Sequence, residues 1–233
     1  MKILIVYAHP EPRSFNGSML EAAVATLQSA GHDVQVSDLY AMNFNPVPGR
    51  HDFLTAQSED RFSYEEEQSH AHEKGGFASD IRVEQEKLMW ADFVLFQFPL
   101  WWFSMPAILK GWVDRVFAYG FAYGGGRWYD QGVFAGKRAM LAVTSGGPET
   151  AYTLNGLQGD IERILFPIQH GILQFVGFEV LPPFVAYSAN YSEVARREAV
   201  LEEFKMRLLA LESTPSLPPV VVSEYDESLQ RRT

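Results

Sequence analysis

Three stretches of this chain bring together residue types that could hold a flat, anionic molecule. The first is Pro99-Leu-Trp-Trp-Phe103, where three consecutive aromatics follow a proline at the end of an apolar run. Rings at the carboxyl end of a buried parallel strand lie where open α/β sheets bind ligands. Trp101, Trp102 and Phe103 therefore read as one wall of a pocket for a planar ring system. The second stretch is His9–Asn16, a polar, proline-bearing loop that runs into a helix. Its helix N-terminus favours a phosphate, and Ser14, Phe15, Asn16 and Ser18 add hydroxyls, an amide and a ring. The third is Thr144-Ser-Gly-Gly147, where the missing Cβ atoms let the backbone approach a ligand closely. Each has a plainer reading as helix caps, core aromatics or a turn. Together they suit a flavin nucleotide, because donors aimed at the pyrimidine edge of an isoalloxazine raise its drive to accept hydride.

These loops need a frame. Lys2–Ala8 is continuous and β-branched, a buried first strand, and a helix capped by Ser14 or Asn16 should run to Ala30 with Gly31 as its stop. Asp33–Asp38 alternates as a second strand. Residues 43–78 hold prolines, glycines, three histidines and an acidic run, and read as a long excursion with little regular structure. A helix capped by Ser79 reaches Ala91, the Phe93–Gln97 strand follows, and a helix runs from Pro106 to about Phe117. Arg138–Thr144 is a further buried strand. Residues 160–176 read as an apolar helix interrupted at Pro167, Val180–Tyr187 as a last strand, and Ser192 as the cap of a final helix to Leu211. Alternating strands and helices of this kind make a flavodoxin-like, doubly wound, five-stranded parallel sheet of order 2-1-3-4-5 in three α/β/α layers. The expected division is one domain over 1–212 and a C-terminal tail over 213–233.

Composition narrows the function. The 233 residues include no cysteine, which removes disulfides, iron–sulfur clusters and thiol nucleophiles, so redox chemistry must ride on a bound cofactor. A formal net charge of −10 argues against sequence-independent binding to nucleic acid or anionic membrane. The apolar run around 93–109 is broken by Gln97, Pro99 and Pro106, a poor membrane span, and Ile3–Ala8 is too short for an export signal. A cytoplasmic protein is expected, without membrane insertion. No glycine-rich dinucleotide fingerprint or Walker-type loop introduces the first helix.

In order along the chain, Ala8–Asn16, Ser37–Pro46, Phe96–Phe103, Pro106–Trp112, Phe121–Tyr123, Thr144–Gly147 and Pro167–Leu173 resemble the two-electron NAD(P)H quinone reductases of the DT-diaphorase family. The resemblance implies a homodimer with FAD at interfacial active sites, NADPH or NADH as electron donor, and a quinone that takes hydride from the same surface in a ping-pong cycle. By motif, His9, Ser14, Phe15, Asn16 and Ser18 fall on the phosphate and ribose side. Pro99, Leu100, Trp101, Trp102, Phe103, Thr144, Ser145, Gly146, Gly147 and Tyr152 fall around the isoalloxazine, and Arg197 at the adenine end. Trp102 and Phe103, with Tyr123 and Phe175 from the second subunit, would meet the substrate. Tyr152, Gly146 and Gln158 are the catalytic candidates.

The chain also departs from the family pattern. A histidine six residues after the tyrosine is here Gln158, which can donate a hydrogen bond but cannot relay a proton as imidazole does. A second pocket tyrosine is replaced by Gly125, within Gly124-Gly-Gly126. His170 is kept where some relatives bind metal, but Gln174 stands at the next ligand position, so no metal is expected there or at His51, His70 and His72. Two other functions compete. Phe121-Ala-Tyr-Gly124 also resembles the ancillary flavoproteins of glutathione-gated potassium efflux systems, and a reduced flavin could serve a nitro- or azo-reductase.

Overall fold

A computed structural model describes residues 1–189 and 193–232. Six strands, β1 (Lys2–Tyr7), β2 (Asp33–Asp38), β3 (Phe93–Pro99), β4 (Arg138–Thr144), β5 (Glu179–Val180) and β6 (Phe184–Ala186), form one parallel sheet of order β2-β1-β3-β4-β5, with β6 also on β4. Helices α1 (Phe15–Ser29) and α6 (Val194–Leu209) cover one face, where Ile3, Ile5, Phe93 and Leu95 meet Met19, Leu27 and Phe204. Helices α3 (Ser79–Trp90), α4 (Ala107–Val116) and α5 (Ile161–Ile168) cover the other, where Leu4, Val6, Val94 and Phe96 meet Leu88, Trp112 and Leu165. The central strands are buried on both faces, as their unbroken apolar runs require.

Three of these expectations need correction, and a fourth is not tested. The stretch from Val180 to Tyr187 is two short strands rather than one, because Pro182 and Pro183 cannot donate to a ladder. Ser79 is the first residue of α3, not its cap; Ala78 holds that position without a side-chain bond. The 160–176 helix runs through Pro167 and then widens into a π-helical turn over Gln169–Gln174, where the hydrogen-bond ladder re-forms after the proline's missing N–H. The expected cap Ser192 lies outside the described residues.

The excursion holds a helix that the sequence reading did not anticipate, α2 (Tyr64–Lys74). Three glutamates stand in its first turn, where the macrodipole favours them, and Gly75 ends it in the left-handed region at φ +68°. Buried Asp52 clamps the excursion to α4. It accepts from Arg115 Nε at 2.8 Å and Nη2 at 2.7 Å, and from the Tyr64 hydroxyl at 2.5 Å. Arg115 also donates to Asn45 O and Asp80, both at 2.8 Å. Gly111 lets the chain pass at this point, since a Cβ there would stand 2.1 Å from Pro46 O.

The tail folds back on the sheet. Leu217 N–H donates to Val180 O at 2.7 Å, Gln174 Nε2 to Pro218 O at 2.9 Å, and the Arg138 guanidinium to the carbonyls of Leu211, Glu212 and Thr214. Among the described residues no helix is long and apolar enough to cross a membrane.

Candidate functional site

Strands β1, β3 and β4 are neighbours, so the loops at their carboxyl ends meet. They enclose a cleft of about 220 Å³ lined by His9, Ser14, Phe15, Asn16, Pro99, Leu100, Trp101, Thr144, Ser145 and Gly146, together with Ala189. Register explains the fit: Pro99 pairs with Thr144 at the ends of β3 and β4, and Leu100 N–H donates to Thr144 O at 2.8 Å.

Ser14 is the cap of α1, its Oγ accepting the Gly17 N–H at 3.1 Å and lying 3.0 Å from His9 Nδ1. Ser18 Oγ turns back on the helix and donates to Ser14 O at 3.4 Å. Asn16 is not a cap. It is buried in the first turn, and its Nδ2 donates to Thr144 Oγ1 at 2.9 Å. Beneath it lies Gln97, fully buried in β3, which donates to Asn16 O at 2.7 Å and Asn16 Oδ1 at 3.0 Å. Sequence reasoning passed over Gln97 as a site residue; the signal was a lone polar side chain inside the apolar run Phe93–Pro99. Tyr7, its register partner on β1, has a hydroxyl that burial pushes up to about 12.

Burial holds the His9 imidazole below its ordinary value, against the smaller opposing pull of Glu11. A folded-state value below the unfolded one gives stability that is complete above about pH 6.5 and is lost as protons bind the unfolded chain preferentially. Thermal melts from pH 7 to pH 5 should therefore show a smaller decline for His9→Asn than for the wild type; an identical decline would remove His9 from the acid response.

The aromatic wall is strained. Trp102 and Phe103 both occupy the left-handed region, at φ +50° and +60°, in a turn closed by reciprocal Trp101–Ser104 backbone bonds of 3.0 Å. Such residues cost on the order of 1–3 kcal/mol each and persist where the surroundings over-determine them. Trp101 faces the cleft, while Trp102 is 94% exposed and Phe103 half-exposed, so neither belongs to the core of this chain. Across the cleft mouth, Ser145 Oγ bridges to Gly147, donating to its O at 3.1 Å and accepting its N–H at 3.2 Å. Among the described residues nothing stands within 4 Å of where a Gly146 Cβ would be, so that backbone is open to a ligand. The Tyr152 ring lies 3.0 Å from the position of a Gly147 Cβ and 5.8 Å from the Tyr187 ring.

Other expected site residues stand apart. Gln158 has an exposed side chain, and its N–H donates to Ala151 O at 2.9 Å. Arg197 is half-buried in the first turn of α6, away from the cleft lining. Tyr123 and Phe175 pack together, rings 5.8 Å apart, in a separate open pocket of about 440 Å³ with Tyr64, Glu65 and Gln68 of α2. Gly124, Gly125 and Gly126 beside it all have positive φ, which glycine adopts without strain. His170 stacks on Phe166 at 4.6 Å, while Gln174 is engaged by the tail. Among the described residues no cluster of three or more His, Asp or Glu could hold a metal ion.

Residues 1–211 match the family model described as a flavodoxin-like fold. The chain is 48% identical over 211 residues to the mouse ribosyldihydronicotinamide dehydrogenase [quinone], covering 90% of this chain and 91% of that one. It is 49% identical over 209 residues to the rat NAD(P)H dehydrogenase [quinone] 1, covering 89% and 76%. A solved structure of a candidate quinone reductase from Klebsiella pneumoniae superposes with a TM-score of 0.97 at 46% identity, covering 100% of this chain and 94% of that one.

Proposed function

Since this chain belongs to the NAD(P)H dehydrogenase (quinone) family with a flavodoxin-like fold, we propose that it is an FAD-dependent NAD(P)H:quinone oxidoreductase working by two-electron, ping-pong hydride transfer. The observation that carries this reading is the meeting of three loops in one cleft that has an amide-rich helix N-terminus, hydroxyl donors and an open glycine edge. That donor set fits a flavin nucleotide. Ser14, Phe15, Asn16 and Ser18, with His9 and the first turn of α1, would hold its phosphate and ribityl side. Pro99 to Phe103, Thr144 to Gly147 and Tyr152 would hold the ring, with Arg197 toward the adenine. When bound, the flavin supplies a single hydride relay, taking two electrons from NAD(P)H and returning them to a quinone that replaces it.

The protein's part is to position and to shield. The Gly146 backbone amide and the Thr144 hydroxyl offer neutral donors to an electron-rich ring edge, which stabilises added charge without a mobile proton. A cleft of about 220 Å³ falls below the roughly 300–1,000 Å³ usual for a small-molecule site. Trp102 and Leu157 are each 94% exposed, and Tyr123 and Phe175 lie in another pocket. These features support a homodimer in which Tyr123 and Phe175 of the second copy close the substrate side over Trp102 and Phe103. The quinone is a small-molecule partner; the reading requires neither nucleic acid nor insertion in a membrane.

The test is an anaerobic single turnover on FAD-loaded protein with one equivalent of NADPH or NADH, then one of a simple quinone. Bleaching of the visible band and its full recovery is the expected result; no bleaching with either nicotinamide would overturn the reading. Gln158 serves at most as a hydrogen-bond donor. Gln158→Leu should lower kcat by no more than about tenfold, the worth of one hydrogen bond, with the rate profile from pH 6 to 8 unchanged in shape. A change of shape would mean that the position moves protons after all.

A further inference from the structure

The buried chain Gln97–Asn16–Thr144 has only one arrangement of donors and acceptors, and it ends at the cleft. The backbone carbonyl of Asn16 can only accept, so the Gln97 group 2.7 Å from it must be the Nε2 amide. The same Nε2 lies 3.0 Å from the Asn16 side chain, which must therefore present Oδ1 to Gln97. Asn16 then has its Nδ2 left for Thr144, 2.9 Å away, and Thr144 Oγ1 is made an acceptor. The hydroxyl hydrogen of Thr144 has no protein acceptor among the described residues, and Thr144 lines the cleft. Among the described residues the arrangement leaves Gln97 Oε1 buried without a partner, a loss on the order of 1–3 kcal/mol that a purely structural residue would be expected to avoid.

We propose that Gln97 is a positioning residue that acts through Asn16 to turn the Thr144 hydroxyl into an obligate donor toward the bound isoalloxazine. The inference rests on the flavin reading above, and Gln97 itself touches neither cofactor nor substrate. An ionised glutamate at position 97 would reverse every link. Its oxygens would draw Asn16 Nδ2, Asn16 Oδ1 would swing to Thr144, and the hydroxyl would donate to Asn16 instead of into the cleft. A protonated glutamate still has one hydrogen to give Asn16 and would preserve the original sense. Its strand neighbours are Tyr7 on β1 and Ala142 on β4. Tyr7 stays protonated until about pH 12, so it does not titrate in the range of the test.

The test is FAD affinity by fluorescence quenching at pH 5.5 and pH 9 on the full chain, for wild type, Gln97→Glu, Thr144→Val and the double variant. Relative to wild type at the same pH, Gln97→Glu should bind nearly as well at pH 5.5 and about tenfold more weakly at pH 9. On the Thr144→Val background the Gln97 substitution should have no further effect at either pH. Equal weakening with and without the threonine hydroxyl would show a general packing role and overturn the proposal, as would wild-type affinity of Gln97→Glu at pH 9. If wild type binds no FAD, the flavin reading itself falls, and this inference with it. Should Gln97→Glu fail to fold, Gln97→Met in the same two backgrounds reads the same coupling, and its absence overturns the proposal.

Discussion

Gly17→Ala is expected to weaken FAD binding by at least 100-fold while leaving the sheet folded. A Cβ at Gly17 would stand 1.8 Å from Pro12 O and 2.7 Å from Pro12 C. Neither backbone atom is the end of a flexible side chain, so the loop from Pro10 to Arg13 must move. That loop carries His9 at one end and Ser14 at the other, and Ser14 Oγ takes the Gly17 N–H itself. Overpacking of this sort costs roughly 1–3 kcal/mol of stability, which a domain of this size can survive. The loss of binding is larger because displaced amides no longer converge on one anion; 100-fold corresponds to about 2.7 kcal/mol. A melt within roughly 10 °C of wild type together with lost FAD quenching is the predicted pair of results. Wild-type affinity would mean that the α1 N-terminus does not hold the cofactor.

The second large effect lies away from the cleft. Asp52→Ala should destabilise the protein by about 3 kcal/mol, since breaking a buried pair leaves an uncompensated charge. Arg115 keeps Asp80 and the Asn45 carbonyl, which places the loss at the lower end of the range for such deletions. A shift of roughly 6–12 °C in Tm follows, with protease sensitivity rising between residues 45 and 63. The double variant Asp52→Leu/Arg115→Met should recover part of the loss, because an apolar pair carries no desolvation penalty. No recovery would assign the effect to the Tyr64 bond to Asp52 rather than to the charge. Activity should fall alongside stability, as Tyr64, Glu65 and Gln68 of the excursion line the Tyr123–Phe175 pocket.

The parallel sheet was legible because its central strands β1, β3 and β4 are buried on both faces and so are written as apolar runs, and the cleft because each of its loops begins where such a run stops. Helix α2 was not, and the reason is physical. Its inward residues include Glu67 and Gln68, both buried, so no apolar stripe marks the face. Glu67 accepts from the N–H of Gln57 at 2.6 Å, and Gln68 accepts from the N–H of Tyr119 at 3.0 Å. A helix docked through satisfied polar groups leaves no hydrophobic periodicity to read. The break in the last strand is written in Pro182-Pro183, between apolar residues that otherwise read as one continuous strand. Gln97 was hidden for the opposite reason: a single amide within a seven-residue strand looks like noise until its partners, 81 positions away, are in view.

The strap around Leu217 bears on how the molecule behaves in a crowd. An open sheet ordinarily presents its last strand as a template for a neighbour's backbone, and long bare edges seed aggregation. Here the end strand β5 is two residues long, and the Val180 carbonyl is already taken by Leu217, with Pro215, Pro218 and Pro219 on either side. A foreign strand arriving at that end would find an occupied acceptor and prolines with no N–H to offer. Self-association through β5 must therefore proceed through side chains rather than through backbone pairing.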